Sequence, residues 1–175
     1  MPDRKLTTSP AEENLMDWLR DAHAMEEQAE KMLSGTADRL KNYPVLKERI
    51  LAHLDQTRIQ ARQVRDCIRR RGGDISVVKD LTARITAAAQ SLSGLFVSDE
   101  VVKAALSSYT FEHMEIASYR ILIAAARVAG DEETQRVCEA ILVEEEAMAA
   151  WLLEQLPVIT QDFLARQQAE VTAKH

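Results

Sequence analysis

The chain has 175 residues, 46% hydrophobic and 29% charged, which is enough to bury a core without disulfide staples. A net charge of -6 excludes a general nucleic-acid binder, which needs a basic surface, and weakly favours a protein that handles cations. Two isolated cysteines, Cys67 and Cys138, form neither a disulfide framework nor a zinc-type cluster. Met1–Pro10 lacks the basic-then-apolar order of a signal peptide, and no apolar run is long enough to span a bilayer, so a cytoplasmic protein is expected.

Residues 1–9 read as a disordered arm, and 10–171 as one helical domain. Ser9-Pro10 is a helix start, because serine caps and proline fits the first turn. The first helix is expected from Pro10 to about Asn42, with a weak spot at Gly35 and an apolar stripe of Leu15, Leu19, Ala22, Ala29 and Leu33. Asn42-Tyr43-Pro44 breaks it. A second helix follows from Pro44 to about Arg71, with Leu46, Ile50, Leu54, Thr57, Ala61, Val64 and Ile68 on its stripe. Gly72-Gly73 ends it, and Arg69-Arg70-Arg71 read as a solvated run that complements the helix dipole.

Residues 75–92 carry a shorter helical pattern that bridges the two halves. Ser98-Asp99-Glu100 starts the next long helix, which runs to Val128 and closes at Ala129-Gly130-Asp131. The last long helix is expected from Glu132 to Leu156, where Pro157 kinks or breaks it, and 158–171 read as a separate short helix. Two helix pairs joined by a long crossover is the plan of ferritin-like bundles, although a plain helical bundle fits the same pattern.

Each stripe also carries polar residues. Glu26 lies four after Ala22 and seven before Leu33. His53, Thr57 and Gln60 interleave with Ile50, Leu54 and Val64. Glu112 and Glu115 are three apart and run with Tyr119 and Leu122. Glu145 lies four after Ile141 and three before Met148, with Glu144 at the stripe's edge and Glu146 outside it. A carboxylate on an apolar stripe is costly to bury unless it is paired or bound to a metal. Mid-helix positions meet at one level in an antiparallel bundle, and carboxylates meeting there repel unless protonated or bridged by cations. Oxygen donors suit iron or manganese. The alternative for any one glutamate is an edge position with its head in water. His53, alone on its stripe, reads as an interhelix hydrogen-bonding residue rather than a ligand. Met25, Met114 and Met148 read as core filler, and Trp18 and Trp151 as packing residues.

The same residues carry a family likeness. The chain resembles the YciE/YciF family of bacterial ferritin-like proteins in Leu19-Arg20-Asp21 followed by Glu26, in His53-Leu54-Asp55-Gln56-Thr57 followed by Gln60, in Glu112-His113-Met114-Glu115-Ile116-Ala117-Ser118-Tyr119, and in Leu142-Val143-Glu144-Glu145. The resemblance implies an all-α, antiparallel ferritin-like four-helix bundle with an added crossover helix, a homodimer, and a link to stress responses. Relatives in the wider superfamily, such as rubrerythrins, hold two irons with one Glu on the first helix, Glu-x-x-His on the second, Glu-x-x-Glu on the third and Glu-x-x-His on the fourth. Glu26, Glu112, Glu115 and Glu145 match the carboxylates. Thr57 and Gln60 stand where the second helix would offer Glu and His, and Met148 where the fourth would offer His.

The expected site is therefore Glu26, Gln60, Glu112, Glu115 and Glu145 around iron or manganese, with Gln60 as a neutral oxygen ligand. Ferroxidase- or peroxidase-like oxidation is one outcome. A structural or interaction protein with a vestigial polar core is the other. No phosphate loop, dinucleotide fingerprint or nucleophile–base arrangement is present in the sequence.

Overall fold

A computed structural model describes residues 9–75 and 100–173. They form four α-helices: α1 (Pro10–Arg39), α2 (Pro44–Arg70), α3 (Glu100–Val128) and α4 (Glu132–Ala173). The architecture is an all-α bundle, as expected. Residues 1–8 of the expected arm and nearly all of the expected crossover helix lie outside the described residues.

The helix ends follow local chemistry. Ser9 Oγ accepts from the Glu12 N–H at 3.3 Å while Glu12 Oε2 accepts from the Ser9 N–H at 2.7 Å, a reciprocal cap that starts α1 at Pro10. α2 ends in a Schellman turn: the Gly73 N–H reaches Ile68 O and the Gly72 N–H reaches Arg69 O, with Gly72 at φ 75°. α3 ends in the same way, with Asp131 N–H on Ala126 O, Gly130 N–H on Arg127 O and Gly130 at φ 68°. Asp131 then caps α4, its carboxylate accepting from the Thr134 N–H at 3.1 Å.

The short α1–α2 and α3–α4 connections make each pair antiparallel. The pairs join through α1 against α3 and α2 against α4, so helices that pack side by side run in opposite directions. The expected stripes are buried except at Ala61, which is partly exposed: Leu15, Leu19, Ala22, Ala29 and Leu33 of α1, and Leu46, Ile50, Leu54, Val64 and Ile68 of α2, are all in the core.

That core comes in two parts. One, built on Leu15, Leu19, Val64, Ile68, Leu122 and Ile141, fills the end where α1 begins. The other, built on Leu33, Leu40, Leu46, Ile50, Met148 and Leu152, fills the opposite end. Between them lies a band of buried polar side chains.

Two expectations change. α4 does not stop at Pro157 but runs through it to Ala173. Pro157 is on the exposed face, so the carbonyl it fails to bond, that of exposed Leu153, faces solvent. Beyond it Ile159 is buried in the second core part, and Arg166 donates to Asn42 O at 2.9 Å and stacks over Tyr43 at 5.2 Å. These contacts hold the helix past the proline. Met114 is the second change. It is not core filler but is 38% exposed, and it lines a groove of about 410 Å³ between α1 and α3 with Trp18, Met25 and Ile121. Among the described residues, no helix is long and apolar enough to cross a membrane.

Candidate metal centre

The polar band draws on all four helices. Glu26 comes from α1, His53, Thr57 and Gln60 from α2, Glu112, Glu115 and Tyr119 from α3, and Glu145 from α4, and each is at most 1% exposed. Helical phase puts them there. His53, Thr57 and Gln60 are spaced four and three apart, and Glu112, Glu115 and Tyr119 three and four, so each set shares one face with the core leucines. The carboxylates expected at the edge or outside it behave so: Glu144 is partly exposed, as is Glu146.

His53, Glu112, Glu115 and Glu145 each bring one ligand-type atom within 4.8 Å of the others. His53 Nε2 lies 3.2 Å from Glu112 Oε2 and 3.3 Å from Glu145 Oε2, although neither oxygen has a well-aligned hydrogen bond. The other ring nitrogen, Nδ1, is 3.2 Å from Gln56 Oε1. Thr57 bonds the His53 carbonyl of its own helix at 3.1 Å.

Gln60 Nε2 donates to Glu145 Oε1 at 2.6 Å and to Glu144 Oε2 at 2.8 Å. The Tyr119 hydroxyl donates to Glu26 Oε1. These bonds leave Glu26 Oε2 and Gln60 Oε1 buried without a partner. Buried carboxylate and amide oxygens are normally satisfied, so their bareness here calls for a ligand or an explanation.

The electrostatics agree. Burial, then the Glu145 charge, holds Glu26 well above the usual carboxylate range. Glu115 is likewise raised by burial, then by Glu26, Glu145 and Glu112. Burial lifts Glu112 to about 7 even though His53 pulls it down. Burial alone would discharge His53, but Glu112 and Glu145 outweigh it and push the imidazole up to about 10. Four buried glutamates are thus brought together with one cationic side chain among them.

All five residues expected at the site, Glu26, Gln60, Glu112, Glu115 and Glu145, lie in this band. The residue whose part was missed is His53. It does bridge helices, as expected, but it also brings an imidazole into the cluster, where the comparison with rubrerythrins left none. Its position one turn before Thr57 on the same stripe was the available signal.

The donor set fits a divalent cation. Carboxylates and an imidazole suit iron, manganese or zinc, and Glu112 and Glu145 of the cluster each keep an oxygen without a hydrogen-bond partner; Glu26 is in the band but outside the group that meets within 4.8 Å.

Comparison with known proteins places the chain. The family model described as a domain of unknown function, DUF892, matches residues 10–165. A protein of Xanthomonas campestris pv. campestris with a crystal structure is 40% identical, with a TM-score of 0.79 over 91% of this chain and 99% of that one. The E. coli stress protein YciF shares the fold at 22% identity, with a TM-score of 0.74 over 88% of this chain and 99% of its own. YcfI of Rhodopseudomonas palustris shares it at 24% identity, with a TM-score of 0.66 over 87% and 97%. The chain belongs to the DUF892 family and is a YciF-like helical bundle.

Proposed function

We propose that the protein is a ferritin-like metal-binding protein that holds iron or manganese in the middle of its bundle and serves in metal or oxidant handling under stress. The observation that carries this reading is the meeting of His53, Glu112, Glu115 and Glu145 within 4.8 Å in the interior. Glu112, Glu115 and Glu145 supply the negative charge, His53 a nitrogen, and Glu26 and Gln60 further oxygens. Iron bound there would supply one-electron chemistry toward oxygen or peroxide. The residues themselves exclude bulk water and hold the donors at fixed positions. The stress role follows the family likeness, since YciF is described as a stress protein. A cytoplasmic homodimer belongs to the same reading, and sedimentation at micromolar concentration tests the dimer.

A second reading is a structural or interaction protein whose polar core is vestigial. The geometry that favours it is His53 between Glu112 and Glu145, which balances part of the charge without a metal.

Elemental analysis of protein purified without chelator separates the two. The metal reading expects iron, manganese or zinc near stoichiometric amounts. It also expects added Mn(II) at a hundredfold excess over its dissociation constant to stabilise the fold by about 2.7 kcal/mol. Metal-free protein whose melting does not respond to any of these ions would leave only the second reading.

A further inference from the structure

Gln60 has a feature that membership of a donor set does not explain. Both hydrogens of its amide are committed, one to Glu144 Oε2 at 2.8 Å and one to Glu145 Oε1 at 2.6 Å. Its Oε1 has no partner although the residue is fully buried. An amide can be turned end for end, and the two carboxylates decide which way it stands. Reversed, the carbonyl oxygen would face two acceptor oxygens and the amide hydrogens would lose both partners. Glu145 is itself a member of the acidic cluster, whereas Glu144 is not: it is partly exposed.

Resting on the reading of the cluster as a cation site, we propose that Glu144 is a positioning residue that holds the Gln60 amide so that its carbonyl oxygen is the atom offered to a divalent cation. Glu144 thereby settles two donors at once. With one amide hydrogen anchored on Glu144, the other stays on Glu145 Oε1, which leaves Glu145 Oε2 as that carboxylate's open atom. Without Glu144 a single hydrogen bond, that to Glu145, resists rotation of the amide about its Cγ–Cδ bond. A neutral oxygen donor also suits this place. Four glutamates already crowd the interior, and Gln60 adds a ligand without adding charge.

The experiment compares wild type, Glu144→Ala, Glu144→Gln and Gln60→Leu. Each metal-free protein is titrated with Mn(II) by calorimetry and followed by electron paramagnetic resonance. Side-chain amide exchange at Gln60 is read by NMR before metal is added. Glu144→Ala and Gln60→Leu are expected to weaken Mn(II) binding by about tenfold, the scale typical for losing a partner that orients a ligand. Glu144→Gln keeps an acceptor oxygen and is expected to stay close to wild type. The Gln60 amide protons should be protected in wild type and Glu144→Gln, and exchange quickly in Glu144→Ala.

Equal affinity in wild type and Glu144→Ala overturns the positioning role while the cation site stands. A loss in Glu144→Gln as large as in Glu144→Ala also overturns it, because charge near the site rather than amide orientation would then be at work. A wild type that takes no Mn(II) overturns the proposal together with the reading beneath it.

Discussion

Glu115 is buried among acidic side chains, with Glu26, Glu145 and Glu112 as its neighbours. Its carboxyl is held well above the ordinary value near 4.5, first by burial. In the unfolded chain it ionises above that value, and in the fold it resists. Its contribution is therefore neutral at low pH and becomes a penalty as pH rises past about 4.5. Glu115→Gln removes the penalty. The metal-free variant is expected to be more stable than wild type at pH 8 by roughly 1–3 kcal/mol, with the gap closing near pH 4. Urea unfolding at the two pH values checks this, and a gap that does not depend on pH would contradict it. Helical phase alone located Glu26, Gln60, Glu112, Glu115 and Glu145, because a period of 3.6 residues says which side chains turn inward. His53 was visible on its stripe, but its partners were not. Which carboxylates stand beside it depends on the axial register of α2 against α3 and α4, and periodicity within one helix carries no register between helices.

Asp131 joins two elements. It is the last residue of the turn that closes α3 and the cap that opens α4, and its carboxylate also meets Arg70 at 2.5 Å and Arg71 at 2.7 Å from the end of α2. The arginine run expected to be a solvated cap is thus partly an interhelix clamp. Burial works against the Asp131 charge, but the Thr134 bonds and then the two arginines outweigh it and hold the carboxyl well below the usual range. A depressed value means that the stabilisation is present above the unfolded value of about 4 and is lost as pH falls below it. Asp131→Asn keeps a capping oxygen and loses the ion pairs. It is expected to cost about 1–3 kcal/mol at pH 7, less than a fully buried pair because Arg70 is partly exposed, and the gap is expected to start narrowing as pH falls from about 4 toward 3. Chemical denaturation across pH 3–7 measures it. α4 shows where element reading stopped short. The local rule for Pro157 was sound, but the partners of Ile159 and Arg166, in the second core part and the α1–α2 turn, lie far from it in sequence, and these contacts outweigh one missing hydrogen bond.

At the scale of the whole molecule, the antiparallel bundle was legible because breakers at Pro44, Gly72-Gly73 and Gly130 fall between long amphipathic runs. That the apolar interior is divided was not, since the division arises only when the four stripes are laid side by side. In most bundles the midpoint of a helix is its best-protected stretch, and opening begins at the frayed ends. Here the midpoints of α1, α2 and α3 border the polar band, and cohesion is concentrated in the apolar zones on either side. Without metal, the band is a seam across the molecule. Hydrogen exchange should then show two zones of slow amides per helix, with earlier exchange around Glu26, Thr57 and Glu112, and a bound cation should close the gap like a rivet through four plates. A single slow zone centred on those residues in metal-free protein would mean that the carboxylates and His53 already hold the seam shut.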